Sequence, residues 1–243
     1  YKLFSNTSST PHHSTGFLVH SRLLHCFQVT SPTVSGRLHT ATLALDHVSL
    51  TLANVYFPSG ISDLADSSPS VALAQAITEQ LLAISAKNTN VILGGDFNEV
   101  RYIEERSSQS LGRYGPRFLP QLCANSFQDL SLENSTHTFT RNLHGKPYSA
   151  KLDRWLATPN VSSLVTMYKT DQTAKSLLPS DHFPVIIGLN LKRPPPSLPT
   201  KRRHIYRPSH FRAAERTQLW DNMQCKMSIL WDRIQAATCV CEE

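Results

Sequence analysis

The chain has 243 residues, 40% of them hydrophobic, and a formal net charge of +6. That is apolar material enough for one α/β domain with an extension, and too much for disorder throughout. The longest apolar runs, such as FPVIIGL at 183–189, fall well short of the roughly 20 residues that span a bilayer, and the first thirty residues lack a charged start followed by an apolar run, so a soluble, intracellular protein with no membrane partner is expected.

In chain order, alternating or short apolar runs bounded by polar turns predict strands near 16–20 (GFLVH), 24–29, 38–45 and 48–57. This meander breaks at Pro58-Ser59-Gly60. Leu73, Ile77, Leu81 and Ile84 then recur at i, i+4, i+8 and i+11, the mark of an amphipathic helix that Ser68 can cap and Pro69 can open. VILGG at 91–95 reads as a buried strand and 117–127 as a short helical stretch interrupted at Pro120. Further strands are predicted near 136–140, 152–157, 161–168 and 184–191. Strands on both sides of one central helix, without regular βα alternation, predict a layered α/β sandwich of two packed mixed β-sheets flanked by helices.

A boundary is expected at about 192, dividing a domain over 1–191 from a basic, Pro-rich linker over 192–208 and a helical extension over 209–243, where Leu219, Met223, Met227, Leu230, Trp231 and Ile234 keep helical spacing. Residues 192–217 hold eight Lys and Arg against Glu215 alone, a net +7 that leaves −1 for the rest of the chain. Such a segment either tracks phosphates by releasing counterions or is a solvated linker kept extended by its charge. The five cysteines show no paired zinc spacing and read as free thiols in a reducing compartment.

Cutting a phosphodiester requires that water be deprotonated and aligned, phosphoryl charge neutralised and the leaving oxygen stabilised. Asp96 and Asn98 stand two residues apart at the end of a buried strand, just after Gly94 and Gly95, which allow close backbone packing and a sharp turn. Ser180-Asp181-His182 precedes another strand. His182 could bind a phosphate oxygen if a second group fixed its tautomer, and Asp153 in Lys151-Leu152-Asp153-Arg154 is the candidate for that group. The wager is spatial: loops centred on 96, 153 and 182 must converge.

Taken in order, Tyr56, GGDFN, Thr138, KLDRW and SDH before the last strand resemble the endonuclease/exonuclease/phosphatase superfamily, most closely the apurinic-type endonuclease domain of non-LTR retrotransposons, over about residues 1–191. The resemblance implies a DNase I-like fold and a Mg²⁺-dependent, or Mn²⁺-dependent, endonuclease that nicks DNA, with a reverse transcriptase domain downstream and the nucleus as its place of work. In it Asp96 would activate water, Asn98 would support Asp96 and the metal, and Tyr56 would contact the phosphate. His182 would bind or protonate the phosphate, Asp153 would orient His182, and Asp181 would lie near the metal. Thr138 would read the DNA groove, with Arg154 and Ser180 also on the DNA.

Several positions depart from that pattern. Ser59 stands where the family has asparagine, and Ala150 where it often has serine. The family's first strands carry an asparagine and a metal-binding glutamate, whereas the first acidic residue here is Asp46 and the first glutamate, Glu79, lies inside the predicted helix. The expectation is therefore that two strands and a helix are missing at the front. Without that ligand Mg²⁺ would be held weakly, and an uncovered sheet edge would lower stability, so the chain as given is expected to be an impaired nuclease. A superfamily phosphatase or lipid phosphodiesterase, and a catalytically dead nucleic-acid-binding remnant, stay open as alternatives.

Overall fold

A computed structural model of the chain describes residues 1–7, 14–30, 34, 36–131, 136–143, 145–173 and 180–191. The boundary expected near 192, the linker and the helical extension lie outside the described residues.

The chain opens with an antiparallel hairpin of β1 (Lys2–Thr7) and β2 (Ser14–Val19). The sequence gives no clear period for β1; it becomes a strand because Phe4 pairs with Phe17 and both rings pack on Phe27. The strand predicted over 24–29 is split, with a 3₁₀ turn at Ser21–Cys26 leading into β3 (Phe27–Val29). β4 (Leu38–Leu45) and β5 (Val48–Tyr56) follow as an antiparallel pair. The helix α1 (Pro69–Lys87) then carries the chain to β6 (Val91–Asp96), which lies parallel to β5.

Next come α2 (Phe118–Asn125), β7 (Gln128–Asp129), the hairpin β8 (Phe139–Leu143) with β9 (Lys146–Ala150), and β10 (Asp153–Ala157). Pro120 does not interrupt α2, because it sits in the first turn, where an amide hydrogen has no intrahelical acceptor. A short helix α3 (Pro159–Ser162) occupies the start of the predicted 161–168 strand, and β11 (Val165–Thr170) begins after it. β12 (Val185–Leu189) pairs with β11.

Six strands form one mixed sheet in the order β3-β4-β5-β6-β10-β7. Strand alternation sorts its residues between two faces. One face, with Leu38, Ala53, Val55, Val91, Leu93 and Leu156, is covered by α1 through Val71, Ala74, Ile77 and Leu81, and by α2 through Phe118, Leu119 and Leu122. The other carries Leu43, Leu50, Ile92 and Ala157, against which Ile187 and Leu189 of β12 pack. The β1–β2 hairpin lies on this same face, where the Phe17 ring meets His39 at 5.0 Å and Asn54 Nδ2 donates to the Gly16 carbonyl at 2.7 Å. Two separate hairpins, β1–β2 and β11–β12, thus stand where a second mixed sheet was expected; among the described residues no ladder joins them. No helix among the described residues is long and apolar enough to cross a membrane.

Candidate active site

The site grows from the ends of three central strands. In register, Tyr56 of β5 lies beside Asp96 of β6, which lies opposite Asp153 of β10. Period-2 alternation turns all three side chains to the face that carries Ile92 and Trp155. The two glycines before Asp96 each answer a close approach. A Cβ on Gly95 would sit 2.0 Å from the Val55 carbonyl oxygen, and one on Gly94 would sit 2.6 Å from the Trp155 ring. Neither position accepts a side chain without moving its neighbour.

Asp96 and Asn98 meet through a turn, and not by strand alternation, since β6 ends at Asp96 and Asn98 is left-handed at φ 49°. The Asn98 backbone amide donates to Asp96 Oδ1 at 2.8 Å and its side-chain amide to Oδ2 at 3.0 Å, with a further bond from Nδ2 to the Phe57 carbonyl at 2.9 Å. Both carboxylate oxygens are thereby aimed. Burial, with the charge of Asp153 beside it, pushes Asp96 up to about 6 against the lowering influence of Asn98 and His182. Such a carboxyl is poised to take a proton near neutral pH.

His182 Nδ1 lies 2.8 Å from Asp153 Oδ2. Burial alone would lower the imidazole, but the Asp153 hydrogen bond and charge outweigh it and hold the pKa above its ordinary value. The ring edge also meets Phe139 at 4.9 Å, and the His182 amide donates to Ser180 Oγ at 3.1 Å. Asp181 follows in the same loop, half-buried, and its charge adds to the raising of His182. The loops at 96, 153 and 182 therefore converge. Asp153 holds one imidazole nitrogen, which leaves the other to face a substrate.

Two sequence-based assignments are corrected. Thr138 is fully buried at 0% exposure, and its hydroxyl oxygen accepts the amides of Leu152 and Asp153 at 3.0 and 2.9 Å, so it cannot enter a DNA groove. Arg154 is 1% exposed and does not face DNA. Following Asp153 on a strand, it points to the opposite side, where Nη1 donates to Asp129 at 2.8 Å and to Glu105 at 3.0 Å. Ser180 is exposed, with its hydroxyl turned to the loop backbone.

Two residues escaped sequence reasoning. Arg37 stacks on the Tyr56 ring at 4.5 Å and donates to the Tyr56 and Phe57 carbonyls at 3.3 and 3.4 Å, fixing the tyrosine from behind. Nothing in its local sequence signals this. Glu99, next to the Asp96-Phe97-Asn98 turn and 1% exposed, accepts the amides of Arg117, Phe118 and Leu119 at the start of α2. An acid just after the turn and ahead of a helix with no acidic residue in its own first turn was the available signal.

The Mg²⁺ implied by the resemblance finds no built cage. Among the described residues no three His, Cys, Asp or Glu side chains gather to hold a metal ion. Both Asp96 oxygens accept from Asn98, one Asp153 oxygen is taken by His182, and Glu79 lies exposed on α1, bonded to Gln75, against the other face of the sheet.

No model of a known protein family matches the sequence, and no curated protein matches it. Solved structures do. The chain is similar to the endonuclease domain of TRAS1, a telomere-specific non-LTR retrotransposon, at 16% identity and TM-score 0.57 over 79% of this chain and 81% of that one. It is similar to the AP endonuclease LMAP from Leishmania major at 15% identity and TM-score 0.58, over 76% of this chain and 68% of that one. An AP endonuclease from Archaeoglobus fulgidus matches at 20% identity and TM-score 0.53, over 68% and 70%. Identities this low establish the fold alone, which is DNase I-like.

Proposed function

We propose that this domain hydrolyses phosphodiester bonds of DNA, nicking one strand, as the endonuclease portion of a retrotransposon polyprotein that also carries a reverse transcriptase. The observation that supports the reading is the single row formed by Tyr56, Asp96 and Asp153, with His182 bonded to Asp153 at 2.8 Å. The fold shared with nucleases adds to it.

In this reading Asp96, aimed by Asn98, takes a proton from water as the water oxygen bonds to phosphorus. The phosphorus–oxygen bond to the leaving strand breaks, and the departing alkoxide takes up a proton, for which protonated His182 is the donor. Asp153 holds the imidazole in one tautomer and stabilises its charged form. Tyr56, backed by Arg37, presents its phenol to a phosphate oxygen at the other end of the row.

The test is conversion of supercoiled plasmid to nicked circle, with Mg²⁺, with Mn²⁺ and with EDTA, beside hydrolysis of inositol phosphates and phospholipid. Nicking that depends on Asp96 and His182 supports the reading. Release of phosphate from the small substrates alone would replace it with a phosphatase or lipid phosphodiesterase. Salt-sensitive retention of duplex DNA without any cut would leave a binding remnant.

A further inference from the structure

We infer that Thr138 is a positioning residue, the knot that sets Asp153 and His182 in register with each other. The inference rests on the nuclease reading, because only there does the relation of those two side chains serve a reaction.

Asp153 and His182 are 29 residues apart and, among the described residues, belong to parts of the fold that share no hydrogen-bonded ladder. Asp153 opens β10 of the six-stranded sheet, while His182 precedes β12, which pairs with β11. Something other than sheet pairing must therefore fix their separation. Thr138 touches both sides. Its hydroxyl oxygen accepts the amides of Leu152 and Asp153 at 3.0 and 2.9 Å, gripping the first turn of chain into β10. Its own amide donates to the Ala150 carbonyl at 3.0 Å, and its carbonyl accepts from the Phe183 amide at 2.7 Å, one residue past the imidazole.

The grip continues along the chain. The Thr140 amide donates to the Asp181 carbonyl at 2.8 Å, so His182 is bracketed by backbone bonds to residues 138 and 140. Between them the Phe139 ring stands edge-on to the imidazole at 4.9 Å, in an isolated bridge with His182. Beyond the Asp153–His182 bond itself, the Trp155 indole also joins the two segments, bonded to the Val185 carbonyl at 2.9 Å. Thr138 is 0% exposed, so no water can replace its oxygen at the two amides. Removing the hydroxyl leaves two buried donors without an acceptor and frees the first residues of β10 to shift.

The experiment uses the full chain and two variants, Thr138→Val, which keeps the shape and loses the oxygen, and Thr138→Ser, which keeps the oxygen. Plasmid nicking gives kcat and KM, and amide hydrogen exchange reports on Leu152, Asp153 and the strand β6. T138V is expected to lower kcat about 10- to 100-fold, the effect of displacing a catalytic group by about 1 Å, with KM within about twofold. Exchange at Leu152 and Asp153 should quicken at least about tenfold as their acceptor is lost, while β6 keeps its protection. T138S should restore both. A T138V variant that nicks at the parental rate, or a folded T138S as impaired as T138V, overturns the inference. So does loss of protection throughout β6 in T138V, which would make the role structural alone. If the parent itself does not nick, the nuclease reading fails by that result, and the exchange arm still decides: unchanged protection at Leu152 and Asp153 in T138V ends the positioning role.

Discussion

Replacing Asp96 with asparagine should abolish nicking and make the domain more stable at pH 8, and the size of the gain follows from the site. Burial and the Asp153 charge lift the carboxyl from its ordinary 3.8 to about 6. Holding it ionised at pH 8 therefore costs the fold about 3 kcal/mol. An asparagine carries no charge, but its amide nitrogen cannot accept the bond that Asn98 Nδ2 gives to Oδ2 at 3.0 Å, and the lost bond costs about 1–2 kcal/mol. The net gain is about 1–2 kcal/mol, which for a domain of this size raises Tm by about 2–8 °C. The sign with pH is fixed by the direction of the displacement. A carboxyl whose folded pKa lies above its unfolded value contributes its stabilisation below pH 3.8 and loses it as pH climbs through about 6. Urea unfolding of parent and D96N at pH 4, 6 and 8 gives the difference, with groups distant from the site cancelling. The two should be closest, or the parent ahead, at pH 4, and D96N ahead at pH 8. A D96N variant less stable than the parent at pH 8, or a difference that does not change with pH, would refute the buried-carboxylate argument.

His182→Ala should lower nicking by at least about 100-fold, since stabilisation of developing charge acts in the transition state, while DNA retention on a filter stays close to that of the parent; equal loss of both would make His182 a binding group. Arg154→Met should cost about 3–5 kcal/mol in urea unfolding because it strands the Glu105 and Asp129 carboxylates. A folded R154M with parental stability and weakened DNA binding would return Arg154 to the surface. Gly94→Ala places a Cβ 2.6 Å from the Trp155 ring, so the indole must move off the Val185 carbonyl, at a cost of about 1–3 kcal/mol; an unchanged Tm and unchanged tryptophan fluorescence would sink that account.

What the sequence revealed and what it hid divide along physical lines. The helix over Pro69–Lys87 and the strands Leu38–Leu45, Val48–Tyr56 and Val91–Asp96 were legible because each buries a face against a large layer, and burial on one face leaves a period. The hairpin strands Lys2–Thr7 and Lys146–Ala150 were not, since two-stranded ribbons outside the main sheet gain their order from a few cross-strand rings such as Phe4 with Phe17 and Phe139 with Tyr148. Within the site, Asp96, Asn98 and His182 could be placed because strand ends gather polar groups. Thr138 could not: which backbone amides a hydroxyl will meet depends on segments 14 and 15 residues away. Arg154 was misassigned although alternation contained the answer. If Asp153 faces the row, its neighbour must face the helices, and a cation there needs buried acids, which Glu105 and Asp129 supply.

The same reasoning explains how two carboxyls lying opposite each other on adjacent strands can take different work. A like charge close by raises the cost of ionising a carboxyl, and a counter-charge beside it lowers that cost. Asp153 has one: His182 bonds to it, and the pair shares a net charge near zero when the imidazole is protonated. The Asp96 carboxylate is bonded, among the described residues, only to the Asn98 amides, and the charge of His182 offsets in part the cost of burial and the repulsion of its neighbour. After burial, the charge of Asp153 raises the proton affinity of Asp96, and its hydrogen bond raises that of His182. Base and acid are set by one arrangement. Neutralising Asp153 should lower both affinities together, dropping Asp96 towards the ordinary carboxyl range and His182 below its raised value. A row in which only one of the two responded would mean that they are not coupled, and the division of roles between the two strands would have to be abandoned.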